Sequence, residues 1–394
     1  MKILFVANRV PYPPFRGDKL KIFHLARRLA KKHEVHLVTV AETAQDLTYR
    51  AELEQIFHSV TLVSLPTWKS KLKALTGLFT SLPLQVAYFR SRRFAAQVES
   101  MLDKGNFDVV HVQHLRMAQF IPHRHKSRAI LDLPDAFSLY WQRRSENAGS
   151  WLQRRFSLLE HKRLLNYEKD VLPAFPLNLV CSVEDRTYLE ALTGARLDVL
   201  PNGVDTSNFY PRGEKPEPGR ILFTGNMDYA PNVDAVTYFC QEIFPAIRQS
   251  LPHVKFVIAG QRPVPAVLQL AGEGVEVTGF IPDLATEYAK ARVLVAPLRF
   301  GAGTQNKVLE ALAMGIPVVC TPVGFKGLGI ESGQGAVLAG QKEIFIKETL
   351  RLLQDDAYRQ EVVQKGGNII RDRFAWDAVA LTLEKFLFRI SGQQ

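Results

Sequence analysis

Short runs rich in Val, Ile and Leu recur along this chain, each followed by a longer segment of helical periodicity. Such alternation is the pattern of parallel sheets covered by helices on both faces. In the first half, residues 3–7, 35–40, 60–65, 109–112, 129–131 and 177–180 read as strands, with an amphipathic helix over 19–32. In the second half the strands are 220–223, 255–259, 275–278, 293–297 and 317–321, separated by helices such as 235–249 and 307–313. Between the halves runs Leu200-Pro201-Asn202-Gly203-Val204-Asp205, then Pro211, Gly213, Pro216, Pro218 and Gly219, a turn-rich stretch that few contacts should cross. A chain of 394 residues exceeds the roughly 250–300 that one hydrophobic core organises. Two doubly wound units are therefore expected, over 1–200 and 201–374, with a final apolar helix over 375–394 returning to the first. Open sheets of this kind bind ligands at the carboxyl ends of their strands, where the strand order reverses.

The net charge of +11 is one-sided: residues 1–200 carry 30 Lys+Arg against 19 Asp+Glu, and the remainder is balanced. A basic half implies a partner with negative charge, either anionic lipid or nucleic acid. No nucleic-acid motif accompanies it, which disfavours nucleic acid as a partner. The opening apolar run is too short for a signal peptide and is followed by Arg9 and a Pro-rich loop, so it reads as a buried first strand. No window approaches the ~20 apolar residues of a membrane-spanning helix. The expectation is a soluble cytoplasmic protein, peripheral at the inner face of the plasma membrane if it meets a membrane at all. Cys181, Cys240 and Cys320 lie in apolar segments without metal-ligand spacing, as suits a reducing compartment.

Chemistry-bearing residues follow the strands. After the first comes a loop ending in Gly17 ahead of a helix, where free N–H groups can hold phosphate. It lacks G-x-G-x-x-G, against a dinucleotide oxidoreductase. The fourth strand ends in His111-Val112-Gln113-His114, and His114, nearer the edge, is the better candidate to donate to a sugar or phosphate oxygen. Asp132 after the fifth strand can position an acceptor hydroxyl. The densest signal is 297–319, a strand, a glycine-rich turn and a helix. Gly301 and Gly303 expose backbone N–H groups, Thr304 and Gln305 open the helix, and Arg299 and Lys307 can neutralise a diphosphate. Glu310, one turn beyond Asn306, can accept from ribose hydroxyls. No Gly-Lys-[Ser/Thr] closes the turn, so it is not a P-loop.

With Pro201-Asn202-Gly203-Val204-Asp205, Phe223-Thr224-Gly225-Asn226-Met227, Val277-Thr278-Gly279-Phe280 and Glu310-Ala311-Leu312-Ala313-Met314-Gly315 in this order, the chain resembles the retaining glycosyltransferases of family four, and within them the sugar transferases associated with exopolysaccharide and exosortase clusters. The resemblance implies the GT-B fold, an α/β class with two Rossmann-like doubly wound parallel-sheet domains facing across a cleft. It implies a nucleotide-diphosphate-sugar donor bound in the second domain, with Gly225 and Asn226 among its contacts, an acceptor on the first, retention, and no metal or other cofactor. The chain has no Asp-x-Asp to bridge a metal to a diphosphate. It departs from the family at Ala302, where many members carry a first Glu, at Gly225–Asn232, which lacks the usual Arg and Lys, and at Gln113 in place of the second histidine of a His-x-His strand end. A nucleotide-sugar epimerase of the same fold and a non-catalytic nucleotide-sugar binder remain alternatives. The cationic, aromatic segment 68–79, with Arg90, Arg92 and Arg93 beyond it, suits either an anionic membrane surface carrying a lipid-linked acceptor or a helix packed on its own domain.

Overall fold

The computed structural model describes residues 1–14, 17–77, 79–146, 149–301 and 304–392. The chain divides into two compact units, Met1–Asn202 with the chain from Val379 onward, and Gly203–Ala378.

The first unit is built on β1 (Lys2–Ala7), β2 (Glu34–Ala41), β3 (Ser59–Ser64), β4 (Val109–Gln113), β5 (Ala129–Asp132), β6 (Leu177–Val180) and β7 (Leu197–Val199). All seven are parallel, in the order β3-β2-β1-β4-β5-β6-β7. Ile3 sits opposite both Val35 and Val109 in register. β4 and β5 are buried along their whole length, as continuous apolar strands must be when helices cover both faces. The helices used below are α1 (Gly17–Leu29), α2 (Thr67–Gly77), α3 (Leu84–Phe89), α4 (Phe137–Glu146) and α5 (Trp151–Val171). α1 buries Ile22, Leu25 and Leu29 against the sheet, and Lys21 lies on that same stripe.

The second unit carries β8 (Arg220–Thr224), β9 (Lys255–Ala259), β10 (Val275–Gly279), β11 (Val293–Ala296), β12 (Val318–Cys320) and β13 (Ala336–Leu338), all parallel, in the order β10-β9-β8-β11-β12-β13. The helix expected over 235–249 is three pieces: α6 (Ala230–Tyr238), a π turn over Phe239–Ile243, and a helix Phe244–Ser250 with Pro245 in its first turn. Proline is tolerated there because its missing N–H needs no partner, and the π turn absorbs the register change. α7 (Asn306–Ala313) follows β11. α8 (Trp376–Ser391) begins in this unit, and its later turns belong to the first, where Glu384 meets His33 Nε2 at 2.8 Å and Arg389 meets Asp198 at 2.9 Å.

The strand order of each sheet thus reverses once, between β1 and β4 and between β8 and β11, and the crevices at those two points are where side chains can face a ligand.

Candidate functional site

At the first switch point Gly17 opens α1, and Gln113, the last residue of β4, donates to the Asp18 carbonyl at 2.7 Å, tying strand end to helix start. His114 follows with φ of 86°, a conformation that strains any residue with a Cβ. Its ring stacks on Phe137 at 4.5 Å, and Arg116 Nε donates to its Nδ1 at 3.0 Å. Burial first, then the charges of Arg116 and Arg9, push this imidazole well below the usual histidine range, so it is neutral at pH 7.

Beneath it lies a group the sequence reading missed. Lys21 Nζ donates to Asp132 Oδ1 at 2.7 Å and to the Leu200 carbonyl at 3.1 Å, with Cys181 Sγ at 3.7 Å. Burial works against the ammonium, but Asp132 and Cys181 together outweigh it and hold Lys21 above its ordinary value. Burial likewise opposes the Asp132 carboxylate, and Lys21 and His111 outweigh it and hold that group low. His111 Nε2 comes within 3.2 Å of Asp132 Oδ2 without the alignment of a hydrogen bond, and its ring packs on Phe5 at 4.8 Å. His111, Asp132 and His114 are all buried, at 0%, 1% and 3% exposed, and the first two pack under the strand ends. The signal for Lys21 was a lysine on the apolar stripe of an amphipathic helix.

The second switch point is more open in its chemistry. The strand-end glycines Gly225 and Gly260, at φ of 153° and 154°, let two loops touch: a Cβ on Gly260 would lie 1.7 Å from the Gly225 carbonyl oxygen. The Gly225–Asn226 turn is held by side-chain amides, with Gln261 Nε2 donating to Asn226 Oδ1 at 2.8 Å and Asn232 Nδ2 to the Asn226 carbonyl at 2.9 Å. Asn232 then accepts from Lys307 Nζ at 2.6 Å, and the ammonium sits 4.2 Å from the centre of the Phe223 ring. Burial brings Lys307 down to about 7, a drop that the nearby Glu310 only partly offsets. Glu310 accepts from the Tyr288 hydroxyl at 2.7 Å, and that hydroxyl also meets Thr224 Oγ1 at 2.7 Å. Burial raises the Glu310 carboxyl above its usual range, against the pull of Tyr288 and Lys307.

Gln305 is the N-cap residue of α7, Gly301 is buried at φ of 144°, and Thr304 Oγ1 lies 3.4 Å from the Gly327 carbonyl. Gly303 and Ala302 lie outside the described residues. Arg299 pairs with Asp234, with Nε to Oδ2 at 2.9 Å and a second hydrogen bond from its other arm, while Lys307 joins the polar network around Asn232. Sequence reasoning did not single out Asn232, Gln261 or Tyr288 as site residues, because each comes from a different segment and only the fold assembles them.

Twin sheets in Rossmann strand order, the second with a buried lysine on the helix that leaves a glycine-bearing turn, are the ground plan of an α/β enzyme that handles an anionic ligand. Residues 22–208 match the family described as Glycosyltransferase Family 4, and residues 218–355 match Glycosyl transferases group 1. The chain belongs to these glycosyltransferases and has the GT-B fold. An uncharacterised 44.6 kDa protein in the cps region of Klebsiella pneumoniae is 21% identical over 390 residues, 95% of this chain and 96% of that one. Among solved structures, sucrose-phosphate synthase from Thermosynechococcus elongatus is similar with a TM-score of 0.70 at 16% identity over the full length of both chains. HepE of Anabaena in complex with UDP gives 0.67 at 16% identity, over 99% of this chain and 100% of that one. At such identities the structural likeness speaks to the fold.

Proposed function

We propose that the enzyme transfers a glycosyl unit from a nucleotide-diphosphate-sugar to an acceptor with retention, in the synthesis of cell-surface polysaccharide or glycolipid, and that its acceptor is lipid-linked at a membrane surface. The observation that carries the donor reading is Lys307: a lysine taken out of water whose hydrogen-bond partner is a neutral amide, at the start of a helix with its positive dipole end. A diphosphate is the ligand that satisfies both. The Anabaena neighbour was solved with UDP and with UDP-glucose, which supports a nucleotide-sugar in the same fold.

In this reading Gly301, Gly303, Thr304, Gln305 and Lys307 hold the diphosphate, Glu310 takes ribose hydroxyls, and Gly225 and Asn226 line the same edge. Gly17 is a further donor contact, and His114 serves the acceptor side. The bond from the anomeric carbon to the donor phosphate oxygen breaks, and the acceptor oxygen bonds to that carbon on the same face. The acceptor proton passes to a phosphate oxygen, and the nucleoside diphosphate leaves. Charge developing on the leaving group is met by Lys307 and the helix N-terminus, so the reaction runs without a metal.

Incubation with UDP-, GDP- and dTDP-sugars, followed by nucleotide release and the anomeric configuration of the product, tests this. One donor is expected to stabilise the protein and to give released nucleoside diphosphate, a retained anomer and turnover unchanged by EDTA. Epimerised sugar without release would favour the epimerase, and stabilisation without either product would favour a binding protein.

A further inference from the structure

Water-facing helices bury large apolar side chains and expose polar ones. α2 and the first turns of α5 do the reverse. On α2, Trp68 (60% exposed), Leu72 and Leu75 form a stripe at i, i+4 and i+7 that faces outward, and Phe79 just past the helix is 92% exposed, whereas Ser70 is fully buried. On α5, Trp151 (65%), Leu152 (63%), Phe156 and Leu159 are exposed, and the buried positions are Ser157, Glu160, Arg163 and Glu168 together with a single large apolar residue, Leu164, in the second half of the helix.

The inverted face is built rather than accidental. Glu160 accepts from Arg163 at 3.0 Å and from the Leu84 backbone N–H at 3.0 Å. Leu84 opens α3, and Lys73 of α2 donates to the Arg90 carbonyl just beyond the end of α3 at 2.6 Å. The two inverted helices therefore bracket the same short helix within the first unit.

Charge says what covers them. Residues 55–98 carry six Lys+Arg and no Asp or Glu, and residues 151–159 carry Arg154 and Arg155 with no acid. Lys69, Lys71, Arg154 and Arg155 are exposed among the aromatic and Leu side chains. A second copy of this chain would set these cations against their own kind. A bilayer interface with anionic headgroups suits both features, because Trp rings partition to that depth and each Lys or Arg near it is attracted. Among the described residues no helix is long and apolar enough to cross a membrane, so the contact is interfacial.

We infer that α2 and α5 together form a bipartite seat for an anionic bilayer. Trp68, Phe79, Trp151 and Leu152 enter the headgroup layer, and Lys69, Lys71, Arg154 and Arg155 pair with lipid phosphate. The inference deepens the reading of a membrane-borne acceptor and rests on it for its purpose, but not on the donor chemistry.

The test is co-sedimentation with phosphatidylcholine vesicles, with and without phosphatidylglycerol, at low and moderate salt. Partitioning is expected to rise at least about tenfold with the anionic lipid and to fall with salt. Leu152→Ser/Phe156→Ser and Lys69→Glu/Lys71→Glu should each lower it by about tenfold or more, since one buried side chain of this size is already worth that factor. Indifference to lipid charge overturns the inference, as does full binding by the α5 variant. So does a vesicle-free dimer in sedimentation velocity that the same substitutions dissolve. Donor binding measured on these variants, whose substitutions are all exposed, keeps a failure here separate from a failure of the transferase reading.

Discussion

Lys21 and Lys307 are both buried lysines at the carboxyl edge of a sheet, yet their charges are kept in opposite ways. Lys21 faces a carboxylate, and the pair holds both partners ionised. Lys307 faces the Asn232 amide, and burial brings it to about 7. The desolvation penalty is common to both, so the partner decides the outcome. The first unit's edge is electrostatically closed, with its lysine and aspartate cancelling each other beneath His114. At the second unit's edge Lys307 hydrogen-bonds an amide, Glu310 offsets its burial only in part, and the proposed diphosphate would supply the rest of the negative charge.

The largest effect that would break this contrast is on stability. Asp132→Asn leaves Lys21 buried without its carboxylate, and urea unfolding should show a loss of about 3–5 kcal/mol for the first unit. The double variant Lys21→Met/Asp132→Leu should recover most of that loss, because the desolvated charges go together. A cost below about 1 kcal/mol for Asp132→Asn would mean the edge is not closed by this pair. A smaller effect is expected at Glu310→Ala, where titration with the donor should show about 1–3 kcal/mol weaker binding from unpaired ribose hydroxyls. Tyr288→Phe, which removes the internal partner of Glu310 along with a bond to Thr224 Oγ1 and one to the Lys307 carbonyl but leaves the Glu310 carboxylate in place, should leave that affinity nearer wild type. If both variants lose stability and neither loses affinity, Glu310 belongs to the core rather than to the ribose.

Much of the architecture was legible because doubly wound sheets write themselves as apolar runs: among the described residues, eleven of the thirteen strands were read from such runs. β7 and β13, three residues each, were not; β12 is as short, but the apolar run Ile316-Pro317-Val318-Val319-Cys320 around it made it readable. The glycine-bearing turn ahead of α7 was legible for the same local reason. What was hidden came from distance. Asn232 meets Lys307 across 75 residues and Lys21 meets Asp132 across 111, and no local pattern announces such a pair. Burial was the other blind spot: His111 and His114 look alike in sequence, and only the fold packs the first on Phe5 beside Asp132 and the second on Phe137. α5 was invisible for a third reason, because a helix that turns Leu152 and Phe156 outward carries the periodicity of an ordinary one.

The contrast is sharpened most finely by pH. Below about 7 Lys307 of the free enzyme is already charged, so donor affinity should be level there. Above that point a bound diphosphate must restore the proton, and affinity should fall by about tenfold per pH unit, which is about 1.4 kcal/mol, until the raised value of the complex is reached. The stability of the ligand-free second unit should move the other way. The folded-state value of Lys307 lies below its ordinary 10.5, so the penalty for burying it is complete below about 7 and fades as pH rises toward 10.5. Calorimetry at about pH 8 in two buffers of different ionisation enthalpy should register proton uptake on donor binding, and Lys307→Met should abolish both the uptake and the slope. Lys21→Met, which alters the closed edge, should leave the slope of donor affinity unchanged. A donor affinity that stays flat between about pH 7 and 9 would show that Lys307 does not face the diphosphate, and the two edges would then differ in packing alone.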